Sequence, residues 1–123
     1  MFIRGAVHIP PDACYVTTML SELIYEYNKE NTNSNFDIFT ALASFHIQFE
    51  RIQPFSDGNG RTGRLLITKE LLRNGYAPIV IPLEFRNEYM QLLANQDTSG
   101  LATMLRKLNS YEIQRMQEFG IKL

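Results

Sequence analysis

Apolar residues recur at three- and four-residue steps along most of this chain, the spacing that lines one face of an α-helix. Val16, Met19, Leu20, Leu23, Ile24 and Tyr27 form the first such face, entered through Asp12 after Pro10-Pro11 and running to about Asn28. The polar run Asn31-Thr32-Asn33-Ser34-Asn35 predicts a turn, because its side chains compete for backbone hydrogen bonds and none has reason to be buried. From Phe36 the series Phe39, Leu42, Phe45, Phe49, Ile52 predicts a second helix, which Pro54 ends by excluding helical geometry from the residue before it. A third, amphipathic and expected to be central, starts near Gly60, continues through Leu65, Leu66, Leu71 and Leu72, and stops at Asn74-Gly75. Ile79-Val80-Ile81 lies between Pro78 and Pro82, so Tyr76 to Leu83 reads as an extended connector. Helices from about Glu84 to Asn95 and from about Leu101 to Phe119 follow, separated by a turn at Asp97-Thr98-Ser99-Gly100. Only Met1 to Val7 reads as a strand, and it has no partner in the sequence, as expected of a chain cut from something longer.

The pattern predicts one all-α domain over residues 1–123 with a short N-terminal β element. At 45% hydrophobic residues the 123-residue chain has the apolar surface for a core. A net charge of -1 offers no broad attraction to nucleic acid or anionic lipid, so any anion must be caught locally. Cys14 is the only cysteine, which excludes an internal disulfide and a cysteine-based zinc site and suits a reducing compartment. No apolar stretch reaches the roughly 20 residues that span a bilayer, and no signal-peptide order opens the chain. A cytoplasmic domain is expected.

Between the second and third helices lies Gln53-Pro54-Phe55-Ser56-Asp57-Gly58-Asn59-Gly60-Arg61-Thr62-Gly63-Arg64. Gly58, Gly60 and Gly63 satisfy the dinucleotide-binding spacing literally, but they follow a helix and have no βαβ setting. No Gly-Lys-Ser/Thr closes the loop as a Walker A motif would require. Asp57-x-Asn59 begins like a calcium loop, yet Arg61 and Thr68 stand where an oxygen ligand and a bidentate Glu are needed. A more general chemistry remains. Glycines in a tight turn let backbone N–H groups converge on one anion, and the next helix points its positive end at the same place. Gly58, Asn59 and Gly60 suit such a nest, and Arg61 and Arg64, three residues apart, reach phosphate oxygens from one helix face. Asp57, just before the nest, offers a hard carboxylate to the Mg²⁺ of a polyphosphate. A glycine-rich turn with solvated arginines and a capping Asp is the plain alternative, and the agreement of all these features in spacing favours the polyphosphate site.

The run resembles the signature of the Fic (Fic/Doc) family, His-x-Phe-x-Asp/Glu-Gly-Asn-Gly-Arg-x-x-Arg, matched at Phe55, Asp57, Gly58, Asn59, Gly60, Arg61 and Arg64. His8-Ile9-Pro10-Pro11 is similar to the segment after the family's flap hairpin, and Phe45 to Ile52 to the helix before the motif. Gly75-Tyr76-Ala77-Pro78 and Arg86-Asn87-Glu88-Tyr89 are similar to helix ends after it. The resemblance implies a Fic-like helical fold with a short N-terminal β flap. It also implies transfer of AMP from Mg-ATP to a Ser, Thr or Tyr hydroxyl of a target protein, with pyrophosphate leaving. On that model Asp57 holds the metal, the Gly58-Asn59-Gly60 backbone stabilises phosphate charge, Arg61 and Arg64 position the outer phosphates, and Phe55 packs inward to fix the loop. Ile3 to Val7 would belong to a flap that aligns the target by strand addition. Tyr89 and Asn95-Gln96-Asp97 would lie near the adenine, against a competing reading as core and turn residues.

Where the family has a proton-accepting His, this chain has Gln53. A carboxamide orients a hydroxyl but takes no proton near neutral pH, and losing a positioned base costs about 10²- to 10⁴-fold in rate. Nucleotide binding, resting on charge and metal, should outlive catalysis. His46, two helical turns earlier and about 10 Å away along the axis, reads as a packed helix histidine; His8 would serve only if its segment folds over the loop. The family's inhibitory helix, Ser/Thr-x-x-x-Glu-Gly/Asn, has its nearest match at Thr18 and Glu22, but Leu23 breaks the pattern. Three readings therefore stand: an adenylyltransferase impaired at Gln53, a catalytically inactive Fic-like module that binds nucleotide or protein, and an enzyme that, like some relatives, transfers another phosphate-containing group.

Overall fold

A computed structural model describes residues 12–30, 36–53 and 58–120. Their elements are α1 (Ala13–Glu30), α2 (Ile38–Ile52), α3 (Asn59–Arg73), α4 (Arg86–Ala94), entered through a 3₁₀ turn at Leu83–Phe85, and α5 (Thr98–Glu118). Among the described residues there is no strand; the expected flap at Ile3 to Val7 lies outside them. None of the helices is long and apolar enough to cross a membrane.

Helix α2 organises the rest, packing against α1, α3 and α5. Its start is set by Asp37, extended at φ -108, ψ 109, whose carboxylate accepts the Phe39 N–H at 3.2 Å and the Thr40 hydroxyl at 2.7 Å. Such a cap contributes about 1 kcal/mol. Phe36, expected to be the first helical residue, instead stands before the cap and meets Tyr27 edge-on, with ring centroids 6.5 Å apart. Ile38, Ala41, Leu42, Ala43, Ile47, Phe49 and Ile52 are all buried, so apolar surface surrounds most of α2.

The expectation that the third helix is central is corrected here. Helix α3 buries only Asn59, Gly63, Ile67 and Leu71, while Leu65 and Leu72 face solvent. Its Arg and Lys residues leave it one narrow apolar stripe, enough to lie on α2 but not to be enclosed. Its C-terminus follows the sequence expectation: Gly75 takes φ 84, the Gly75 N–H reaches Leu72 O at 3.1 Å, and the Tyr76 N–H reaches Leu71 O at 2.8 Å. The connector that follows, residues 76–82, is neither helix nor strand, and Pro82 at its end is extended. It is pinned where Asn109 Nδ2 of α5 donates to the buried Ala77 carbonyl.

The predicted turn at Asp97 to Gly100 is also corrected. Helix α5 begins at Thr98, and Asp97 is its N-cap, accepting the Gly100 N–H at 2.8 Å. A Cβ on Gly100 would stand 2.6 Å from both Asp97 Oδ2 and Leu92 Cδ2, so this first turn presses against the end of α4. Turn and cap use the same side-chain-to-backbone bond, which is why the run reads either way.

Candidate functional site

The loop joining α2 to α3 includes Pro54, Phe55, Ser56 and Asp57, which lie outside the described residues. Its two ends are defined. Gln53 is the C-cap of α2 at φ 48, ψ 63, with its N–H bonded to Phe49 O at 3.2 Å. That left-handed geometry costs a non-glycine residue roughly 1–2 kcal/mol. Gly58, the N-cap of α3, adopts φ 73, ψ 12, a conformation open to glycine without penalty. Gly58 has no side chain with which to cap α3, and the first bond back to it comes from Thr62 N–H at 2.9 Å. The preceding N–H groups of the first turn point toward the loop, the arrangement that receives an anion.

Asn59 is buried at the head of α3, and Arg61 is exposed. Arg64, half-buried, folds back over the start of its own helix: its Nη1 is 3.0 Å from where a Cβ on Gly60 would stand. The missing side chain at Gly60 thus gives Arg64 room beside the helix N-terminus.

Behind Arg64 lies a buried polar seam. His46 and Glu50 of α2 and Tyr89 of α4 are all enclosed. His46 Nε2 and the Tyr89 hydroxyl share a hydrogen bond of 2.5 Å, and the two rings stack at 5.8 Å. A Cβ on Gly63 would meet Glu50 Oε1, His46 Cε1 and His46 Nδ1, each at 2.8 Å, so only glycine lets α3 settle onto this part of α2. His46 Nδ1 and Glu50 Oε1 converge on that position without hydrogen-bond partners. Burial, helped by the Arg64 charge, pulls the His46 imidazole down to about 3. Burial pushes the Glu50 carboxyl up, while Arg64 pulls it the other way. The Tyr89 hydroxyl is raised to about 12, chiefly by burial, and Arg64 beside it opposes the shift.

His46 is therefore neutral, enclosed and too weakly basic to replace a missing general base near neutral pH. His8 lies outside the described residues. Tyr89 is both a core residue and, with Arg64, Arg86, Ile81, Leu83 and Met90, part of the wall of a cleft of about 250 Å³. Asn95 caps α4, Gln96 turns at φ 52 and Asp97 caps α5, so backbone roles account for that group. Glu22 borders a different groove, with Gln48 and Arg51.

Gly58, Asn59, Gly60, Arg61 and Arg64, singled out in the sequence, all stand in the cap and first turns of α3. Sequence reasoning assigned no role to Glu50, Gly63 or Arg86. Two signals were present: His46 and Glu50 fall in phase with the buried face of α2 marked by Ala43 and Ile47, and Gly63 interrupts a helix that would prefer Ala.

Residues 2–71 match the family model described as Fic/DOC family. The chain is 39% identical over 87 residues to the protein adenylyltransferase Fic of Drosophila mojavensis, covering 70% of this chain and 17% of that protein. It is 30% identical over 105 residues to the protein adenylyltransferase fic-1 of Caenorhabditis elegans, covering 85% of this chain and 20% of that one. The chain thus spans no more than a fifth of the length of these relatives. The crystal structure of a Fic-domain-containing signalling protein from Bacteroides thetaiotaomicron superposes with a TM-score of 0.83 at 25% identity, over 99% of this chain and 54% of that one.

Proposed function

This chain belongs to the Fic/DOC family, and from that premise we propose that residues 1–123 form a protein adenylyltransferase domain, built to bind Mg-ATP and transfer AMP to a target-protein hydroxyl but impaired at Gln53. The observation that carries the reading is the head of α3, where Gly58 takes left-handed geometry with no side-chain cap and Arg64 folds over Gly60, an arrangement suited to an anion. The choice of AMP rests on the adenylyltransferase activity named for the relatives.

In this reading the backbone N–H groups from Gly58 to Gly60 hold a non-bridging phosphate oxygen. Arg64 and, from the surface, Arg61 hold the outer phosphates. Among the described residues no cluster of three acidic, His or Cys side chains stands ready for a metal, so magnesium would rest on Asp57 and the phosphates themselves. When bound it neutralises polyphosphate charge. Gln53, at the last turn of α2, donates or accepts a hydrogen bond at the attacking hydroxyl but removes no proton. The segment Ile3 to Val7 aligns the target chain by strand addition.

Incubation with labelled ATP and lysate, beside a Gln53→His form, tests this. The substitution should raise labelling by about 10²-fold or more while leaving Mg-ATP affinity unchanged. If neither form binds Mg-ATP and neither labels protein, the proposal is wrong. Gln53 itself favours a second reading, a nucleotide-sensing or protein-binding module without turnover. That reading predicts Mg-ATP binding, lost in Arg64→Ala, and no labelling even from the His form.

A further inference from the structure

Helices α1 and α3 both pack on α2 rather than side by side. A trough of about 580 Å³ runs between them. Helix α2 lines it with Leu42, Phe45 and Phe49, α1 with Leu20 and Ile24, and α3 with Leu66. Water meets apolar surface here, and Ile24 is 44% exposed to it.

One end of the trough is fixed. The Tyr27 hydroxyl of α1 donates to Glu70 Oε1 of α3 at 2.8 Å, and Arg73 holds the same carboxylate through Nη2 at 2.7 Å and Nε at 3.0 Å. These bonds tie α1 to α3, so the width at this end is set before anything enters. They also match Glu70 with Arg73, whose bonds hold the Glu70 carboxyl below its ordinary range. Lys69, beside that pair and also lining the trough, forms no ion pair among the described residues. Glu70 is the one carboxylate that the described residues bring to the trough. Asp57, the one Asp or Glu outside them, precedes Gly58 and is separated from Lys69 by about 16 Å of helix. Lys69 therefore leaves one positive charge unmatched at the Glu70 end.

Size and charge together select an occupant. The volume falls within the roughly 300–1,000 Å³ of pockets that take one whole small molecule. A helix about 10–12 Å across would need roughly 1,300 Å³ or more over the 16 Å or so from Thr62 to Arg73. We propose that the trough binds a small amphiphile, with an apolar chain on Phe45 and Phe49 and a single anionic head at Lys69, a medium-chain carboxylate being the simplest example. The inference goes beyond the Mg-ATP reading and does not rest on it.

Amide NMR shifts of the isotopically labelled protein, titrated with decanoate, 1-decanol and decylamine below the concentrations at which each self-associates, test it. Decanoate should saturate, with shifts centred on residues 20–28 and 62–73. Decanol should bind the same residues about two- to fivefold more weakly, and decylamine more weakly still. Ile24→Gln, at an exposed position, should weaken decanoate and decanol alike, by about threefold or more. Lys69→Gln should weaken decanoate by about two- to fivefold and leave decanol within about twofold, and added salt should act in the same direction. Shifts that never saturate, or that spread over other exposed apolar residues such as Leu83 and Phe119, would overturn the site. Equal affinity for decanoate and decylamine would overturn the anionic head. If none of the three binds, the inference fails and the proposed function is untouched.

Discussion

Helix α2 meets two neighbours in unlike ways from one broad buried face. With α5 it shares an apolar cluster in which Ala43 and Ile47 join Leu101, Leu105 and Leu108. Against α3 it presents His46 and Glu50, each with a buried polar atom lacking a partner. The first contact stabilises, at roughly 25 cal/mol per Å² of apolar surface removed from water. The second spends stability, since a buried polar atom without a bond costs about 1–3 kcal/mol. The cost falls beside Arg64, whose charge acts on both groups and on which the proposed anion site depends. The contact with α5 holds the fold, and the contact with α3 keeps two polar groups under Gly63 within reach of the Arg64 charge.

The comparison breaks if the two contacts respond alike to substitution. The largest effect is expected from Leu105→Ala, fully buried in the apolar contact, which should lose about 2–5 kcal/mol of stability in urea. Mg-ATP affinity of the molecules that remain folded should not change. An affinity loss matching that of an Arg64 variant would show that the contacts are not separable.

The next effect concerns pH. His46 has a folded-state pKa of about 3 against an ordinary 6.5, so below 6.5 the unfolded chain binds a proton that the folded chain refuses. This single group removes about 1.4 kcal/mol of stability per pH unit as pH falls through that window, about 2 kcal/mol by pH 5. Glu50 acts oppositely. Its raised pKa means the folded form keeps a proton longer, so its contribution declines as pH rises above its ordinary 4.5. Unfolding curves of the unmodified chain and His46→Gln, compared from pH 7 to pH 5, should therefore converge as the solution is acidified. Parallel curves would mean that His46 takes up its proton in the folded state.

The smallest effect is the sharpest. Gly63→Ala gains about 1 kcal/mol of helix propensity but places a methyl 2.8 Å from three seam atoms, and overpacking costs about 1–3 kcal/mol. His46 is held by Tyr89 and has no room to yield, so a net loss of about 1 kcal/mol is expected. Mg-ATP affinity should fall several-fold, because the start of α3 must move. A stabilised Gly63→Ala protein with unaltered affinity would show that the seam does not support Arg64.

Much of the chain was legible before folding. Pro54 stopped α2, Asn74-Gly75 stopped α3, and two prolines kept 76–82 out of a helix, because these signals act within a few residues of backbone. The start of α5 was misread because capping and turning residues are chemically the same at Asp97. The central helix was misassigned because periodicity shows that a face is apolar, not how many neighbours enclose it. The roles expected of Phe55 and Asp57 fall on residues outside the described ones.

The family signature and the proposed anion-binding reading were both legible in residues 53–64, since a phosphate nest needs only a short run of correctly spaced backbone and side-chain donors. Which polar groups stand behind that nest was decided by tertiary structure. His46 meets Tyr89 across 43 residues of sequence, and Arg64 of α3 lines the same cleft as Tyr89 of α4. Burial, which moves the His46, Glu50 and Tyr89 pKa values, is a property of all the elements packed around a group. No local spacing encodes it.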